Sequence, residues 1–251
     1  MDRNMTLPFT DNSDLPLVLI GGTLCNARLW QPLIAHLNVS SVVCLTLSCG
    51  ESATMCARRL LAVLPPRFML VGFSLGAIVA LQIAADAPAR LAGLALLSVN
   101  PLADRPENAG SRRAAVRAAE AQGHAGWLSA TLWHQYVAHA SLGNQRLHDL
   151  LCRMAQETPT ETFARQAEIA ISRRDNRRAL GILTCPVMII NGAEDAICTP
   201  EHHRLAATGA ANPAWITLEA TGHFFVLEAA ERTADVLHPW IKESLNAHQH
   251  P

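Results

Sequence analysis

What the sequence lacks narrows its function first. Its 7 cysteines stand scattered at Cys25, Cys44, Cys49, Cys56, Cys152, Cys185 and Cys198, with no CxxC pair and no zinc-ligand spacing, so neither a disulfide framework nor a metal site is written in their positions. The odd number and the scatter are those of reduced thiols in a cytoplasm. His124, His134 and His139 are also badly spaced for a single helix face, and no metal is expected. No apolar run reaches the roughly 18 residues of a membrane span. The opening stretch carries Asp2, Asp11 and Asp14 instead of a basic segment leading into an apolar one, which argues against a secretory signal. Charge of one sign is missing as well. Lys plus Arg number 20 against 21 Asp plus Glu, a net charge of −1, so no bulk field draws the chain to nucleic acid or to an anionic membrane. Small molecules are the expected partners.

Apolar residues, by contrast, are abundant. Half of the 251 residues are hydrophobic, enough for the core of one large α/β domain or two small ones. Six short runs read as strands: "LVLIGG" (17–22), "VVCLTL" (42–47), "FMLVGF" (68–73), "LAGLALLSV" (91–99), "PVMIING" (186–192) and "AWITLEA" (214–220). They are rich in β-formers and bounded by Gly, Pro, Ser or Asn. Between them "ARLWQPLIAHL", "SATMCARRLLAVL", "LGAIVALQIAADA" and "PEHHRLAATGA" have helical spacing, and "FFVLEAAERTADVLHPWIKESL" predicts one long closing helix. Strand and helix in alternation predict a doubly wound, mostly parallel sheet of about six strands, covered on both faces.

The alternation breaks between Pro101 and Leu183. That stretch has no convincing strand, and it holds 11 of the 20 basic residues, all arginine, against 8 acidic ones. An all-helical insertion after the fourth strand is expected, with 1–100 and 184–251 forming the core and 101–183 folding back over the sheet. No internal repeat or low-complexity tract is present.

One corner carries the first chemical signal. In "LVGFSLGAIVALQIA" (70–84) an apolar strand runs into a serine flanked by Gly72 and Gly76 and then directly into a helix. A strand turning so sharply into a helix strains the intervening residue and needs small neighbours, and it lifts the Ser74 hydroxyl above the sheet beside a helix N-terminus. The plain alternative is a Gly-rich turn with an N-capping serine. A hydroxyl is a weak nucleophile without a base, and the base is best held by a buried carboxylate. "NGAEDAICTP" places Asp195 just past the fifth strand and "LEATGHFFVLE" places His223 just past the sixth, over the same sheet edge as Ser74. Asp195 could instead cap the helix that starts near Thr199 and Pro200, Glu194 could be the acid, and His223 could be an ordinary member of the 11 histidines.

Together "GFSLG", "PVMIINGAEDAICTP", "TGHFFVLE" and "LIGGTLCNARLW" resemble the nucleophile elbow, acid loop, histidine loop and oxyanion loop of the α/β-hydrolase-fold serine hydrolases. This superfamily includes small carboxylesterases and lactonases, and the chain is broadly similar to pimeloyl-carrier methyl esterases within it. The resemblance runs from Leu17 nearly to the end. It implies an α/β-hydrolase fold with a helical cap, a cofactor-free enzyme, and a small or medium acyl ester or lactone as substrate. It also implies roles: Ser74 attacks the carbonyl, His223 shuttles the proton, Asp195 orients the imidazole, and backbone N–H groups of Leu75 and of Thr23 or Leu24 hold the oxyanion. The same fold and triad also serve C–C bond hydrolysis, perhydrolysis or acyl transfer, and the fold supports non-catalytic binding modules.

Three departures stand out. Gly21-Gly22 occupies the place where His-Gly is commonest, residues 1–16 are too short and polar for an N-terminal hairpin, and "TLSCGES" (46–52) matches only loosely the usual Asp-containing loop. In the insertion, Trp127, Leu128, Leu132, Trp133 and Tyr136 fall roughly on a helical stripe, expected to pack mostly on the core with one or two facing substrate. Its arginines, including Arg112, Arg113, Arg117, Arg173, Arg174, Arg177 and Arg178, read either as a solvated helix face or as a surface for an acidic carrier protein or a carboxylate-bearing substrate. Cys25 and Cys198 lie near the expected site and read as small buried hydrophobes.

Overall fold

Continuous apolar runs suit strands whose two faces are both covered. In the computed structural model, which describes residues 15–249, the six runs become β1 (Leu17–Ile20), β2 (Val42–Leu45), β3 (Phe68–Phe73), β4 (Leu91–Leu97), β5 (Val187–Gly192) and β6 (Ala214–Leu218). They form one sheet in the order β2-β1-β3-β4-β5-β6, parallel throughout. Every residue of β1, β3, β4 and β5 is buried. The edges β2 and β6 are half-buried or exposed, apart from buried Leu218 at the end of β6. The expectation about an N-terminal hairpin falls largely on residues 1–14, outside the described range.

Because side chains alternate across a strand, the sheet feeds two cores. Leu17, Leu19, Met69, Val71, Ala95 and Leu97 face one; Val18, Ile20, Leu70, Leu94, Leu96 and Ile189 face the other. The first lies under α1 (Gln31–Ile34) and the C-terminal α12 (Ala230–Gln249), the second under α2 (Ala53–Val63) and α3 (Leu75–Asp86). α3 is buried from Leu75 through Ala84, as its apolar character on every side requires.

Two helical expectations are corrected. The stretch 27–37 is not one helix: Asn26 caps a 3-10 turn at Ala27–Leu29, and the four-residue α1 follows with a proline at its start. The closing pattern is also divided, into α11 (Phe225–Glu228) and α12, because the backbone leaves helical geometry at Ala229, φ −143° and ψ 53°. α11 aims Glu228 back at the loop that carries His223, with consequences for the site.

Between β4 and β5 the chain is helical: α4 (Asn108–Gln122), α5 (His124–Thr131), α6 (Trp133–Tyr136), α7 (Gln145–Glu157), α8 (Thr160–Ile171) and α9 (Arg177–Leu180). A second proline-led helix, α10 (Pro200–Ala207), follows β5. The helices between β4 and β5 share a core with the sheet, since Val116, Trp127, Trp133, Tyr136 and Phe163 cluster with Phe73 and Leu97. Among the described residues, no helix is long and apolar enough to cross a membrane.

Candidate active site

Ser74 stands where β3 passes into α3 without an intervening loop. Its backbone has φ 53° and ψ −113°, a region that costs a non-glycine residue roughly 1–3 kcal/mol and persists only where its surroundings impose it. Packing imposes it here. A Cβ on Gly72 would lie 2.5 Å from the Gly76 carbonyl oxygen and 2.7 Å from the Ala77 Cα, and one on Gly76 would collide with the Ile20 carbonyl of β1. The two glycines let strand and helix pass, and the serine N–H is fixed to the Leu97 carbonyl at 2.9 Å.

The structure brings Ser74, His223 and Asp195 into one hydrogen-bonded chain. Ser74 Oγ lies 2.9 Å from His223 Nε2, and His223 Nδ1 lies 3.0 and 2.9 Å from the two Asp195 carboxylate oxygens. An ionised carboxylate only accepts, so Nδ1 carries the proton and Nε2 presents its lone pair to the serine hydroxyl. Asp195 is buried, which pushes its carboxyl up; the His223 interaction and the hydrogen bond from the Cys198 N–H outweigh that and hold it below the ordinary carboxylate range. The Ile197 and Cys198 N–H groups reach Oδ1 at 2.9 and 2.8 Å. Glu194, the other acid in this loop, turns away and accepts from the His139 N–H at 2.8 Å.

Several residues that sequence reasoning passed over hold this chain in place. Ser98, itself at φ 48°, donates its hydroxyl to the His223 carbonyl at 2.9 Å. Glu228 accepts from the Gly222 and Ala138 N–H groups at 2.8 and 2.9 Å, tying the histidine loop to the chain after α6. His203 is wholly buried and accepts from the Val99 N–H at 3.1 Å while its Nδ1–H faces the Thr199 carbonyl at 2.9 Å. It thereby joins the end of β4 to the acid loop, and burial depresses its pKa to about 4. Tyr136 stacks on the His223 ring at 5.7 Å, and Phe73 lies against it at 5.2 Å, so the imidazole has little room to turn.

In the loop after β1, Thr23 and Leu24 differ in how their N–H groups are used. Leu24 sits at φ 56° and its N–H donates to Gln166 Oε1 at 2.9 Å. Among the described residues, the N–H groups of Thr23 and Leu75 have no acceptor within the protein. A Cβ on Gly22 would lie 3.2 Å from the Ser74 Cβ, so this loop abuts the serine. Gln166 is wholly buried and also donates to the Leu47 carbonyl at 3.0 Å, which links the oxyanion loop, the loop after β2 and α8. Its signal in the sequence was a polar side chain on the apolar face formed by Phe163, Ala167 and Ala170.

Ser74 and His223 open on a cavity of about 460 Å³. Trp127, Leu132, Tyr136 and Phe163 line one part of it, and Asn100, Asn108, Ser111, Arg112 and Arg173 another. Of the expected aromatic stripe, Leu128 and Trp133 are buried in the core without lining the cavity. Four of the singled-out arginines pair with acids of their own segment: Arg112 and Arg173 with Asp104, Arg113 with Glu168, and Arg177 with Asp175. Arg117, Arg174 and Arg178 are exposed. Burial pushes the Cys25 thiol up to about 12 and the Cys198 thiol well up, as suits small packing residues. Asp195, Cys198 and His223 place ligand-type atoms within 4.8 Å of one another, but both carboxylate oxygens already accept from the imidazole N–H and the thiol is held neutral. Three donors so engaged suit a hydrogen-bonded relay better than a metal ion.

A family model described as "Alpha/beta hydrolase family" matches residues 17–236. A provisionally assigned carbamate hydrolase, RutD, from Klebsiella pneumoniae is 27% identical over 160 residues. That match covers 62% of this chain and only 59% of the relative. Among solved structures, a thermophilic esterase from Thermogutta terrifontis superposes with a TM-score of 0.78 at 21% identity, over 92% of this chain and 90% of that one. The enol-lactonase from Burkholderia xenovorans LB400 does so with a TM-score of 0.79 at 19% identity, over 92% of each chain. At such identities the likeness is one of fold.

Proposed function

The chain belongs to the alpha/beta hydrolase family, and on that premise we propose that it is a serine hydrolase cleaving a small to medium acyl carboxylic ester or lactone. The observation that carries this reading is the unbroken chain of hydrogen bonds from Ser74 Oγ through both nitrogens of His223 to Asp195. The esterase and enol-lactonase among the structural neighbours agree with it in fold.

In this reading Ser74 Oγ attacks the substrate carbonyl carbon while His223 Nε2 takes the hydroxyl proton. Asp195 holds the Nδ1–H tautomer and stabilises the imidazolium that forms. Negative charge develops on the carbonyl oxygen, where the Thr23 and Leu75 N–H groups receive it; each such donor contributes roughly 2.7–4 kcal/mol to the transition state. The carbon–oxygen bond breaks, His223 gives its proton to the departing alcohol, and an acyl-Ser74 ester remains. Water then attacks that ester with His223 as base, releasing the acid and restoring the serine. The helices over residues 101–183 act as the cap, closing the cavity above Ser74 and excluding water from it.

The test is hydrolysis of p-nitrophenyl esters from acetyl to decanoyl by the wild-type protein and by Ser74→Ala, beside labelling with a serine-directed phosphonate. Turnover and labelling that vanish together in Ser74→Ala are the expected result. Turnover that survives the substitution, or a folded wild-type protein that neither hydrolyses nor labels, would overturn the reading.

A further inference from the structure

Two guanidinium groups share one carboxylate at the polar part of the cavity. Arg112 donates through Nε and Nη2 to Asp104 at 2.6 and 3.0 Å, and Arg173 reaches the same carboxylate through Nη2 at 3.0 Å. Asn108 adds a third hydrogen bond at 3.1 Å, and Arg173 Nε is satisfied by the Leu102 carbonyl at 2.9 Å. The Asp104 side chain is 2% exposed and that of Arg173 8%, whereas Arg112 is 33% exposed. Asp104 is thus saturated by donors, while each arginine keeps Nη1 without an acceptor among the described residues.

The charge does not balance. Both arginines line the cavity that holds Ser74 and His223, and among the described residues no Asp or Glu side chain lines it. Two positive charges against one negative give this cluster a net charge of about +1 beside a half-open cavity, where an incoming anion is attracted. A guanidinium held by its Nε and Nη2 is already oriented, so a second carboxylate meets preorganised donors on the remaining Nη1 groups.

We propose that Arg112 and Arg173 form an anion subsite, and that the ester or lactone cleaved at Ser74 carries a free carboxylate which this subsite receives. The proposal rests on the hydrolase reading for its reacting end and on the arginine pair for its charged end. Asn108, which already donates to Asp104, lines the cavity beside Arg112 and keeps a second amide N–H that the same carboxylate can accept.

The experiment uses matched substrate pairs that differ only in charge. One set is the monomethyl esters of dicarboxylic acids from succinic to suberic, each against the methyl ester of the corresponding monoamide. The other is acetyl esters of ω-hydroxy acids against those of their amides, which puts the carboxylate on the alcohol side. In at least one set the carboxylate form should exceed the amide by about tenfold or more in kcat/KM, the effect residing in KM. Arg112→Met and Arg173→Met should each bring that ratio close to one. Arg113→Met is the control, because Arg113 pairs on the surface with Glu168, and it should leave the ratio unchanged.

Calorimetric titration of the Ser74→Ala protein with methyl hydrogen adipate and with methyl adipamate separates the two readings, since it needs no turnover. Tighter binding of the carboxylate, lost when Arg112→Met is added, supports the subsite even if the hydrolase assignment fails. Equal binding of the pair, or a preference that survives both arginine substitutions in proteins of unchanged melting temperature, would overturn it.

Discussion

The two walls of the cavity are built by different means. The wall made by the strand-end loops is held by strained backbone: Leu24, Ser74, Ser98 and Ala220 are the non-glycine residues with positive φ among those described, and they follow β1, β3, β4 and β6. The wall made by the helices between β4 and β5 has ordinary backbone and is tied by ion pairs such as Arg112–Asp104 and Arg113–Glu168. Each such residue costs roughly 1–3 kcal/mol, so strain is concentrated around Ser74, where the proposed mechanism needs reacting atoms placed closely. The helical wall sets shape and charge, and those tolerate variation without disturbing the proton relay. On the proposed mechanism, one wall would govern rate and the other selectivity.

The sharpest way to break this division is at Asp195. In Asp195→Asn the side-chain amide competes with the imidazole N–H for the role of donor, which favours the wrong tautomer of His223, and kcat on a p-nitrophenyl ester should fall by about 10⁴-fold with KM little changed. A loss under tenfold would mean that the strand-end wall does not carry the chemistry. Next in size is the effect of acid on the same wall. His203 is neutral and buried, with its pKa depressed to about 4 from 6.5. Below pH 6.5 the unfolded chain binds a proton that the folded protein refuses, so stability is present in full above that pH and falls as pH drops toward 4, by up to about 3 kcal/mol. Denaturant titrations at pH 7 and pH 5 measure this, and His203→Gln, which keeps an acceptor for the Val99 N–H, should flatten the dependence.

How much of each wall was legible in the sequence follows from the same contrast. The six strands were legible because burial on both faces demands unbroken apolar runs. The elbow was legible because only glycine fits at positions 72 and 76. Ser74, Asp195 and His223 were legible because each directly follows a strand, where chain order alone fixes the edge of the sheet. The helical nature of residues 101–183 was also legible, but not the partners within it. Whether Arg112 pairs with Asp104 and Arg113 with Glu168 is decided by how α4 and α8 lie together, which no local spacing encodes. The break at Ala229 was hidden because the apolar period continues across it, whereas the contacts Glu228 makes there with the Gly222 and Ala138 N–H groups come from outside the helix.

Gln166 sharpens the comparison because it belongs to the helical wall yet serves the other one. Gln166→Leu removes the acceptor of the Leu24 N–H and the donor to the Leu47 carbonyl, leaving two buried backbone groups unpaired. The oxyanion loop then loses its anchor, and kcat should fall by about 10- to 100-fold with a smaller change in KM, alongside a lower melting temperature. If the melting temperature falls and kcat does not, Gln166 is a fold contact alone and the walls are independent.

The smallest effect is expected where the helical wall faces solvent. The side chains of Arg113 and Glu168 are 54% and 36% exposed although their atoms approach to 2.7 Å. Water and salt screen such a pair, and holding two long side chains in register offsets part of what the contact contributes. Arg113→Ala should therefore leave the melting temperature nearly unchanged and leave kcat and chain-length preference as they are. The informative contrast is with Arg112→Met one residue earlier on the same helix, paired with an acid that is 2% exposed. If the two substitutions had equal effects on substrate preference, charge on the helical wall would act as a diffuse field instead of a placed group, and selectivity would have to come from the apolar side chains of that wall.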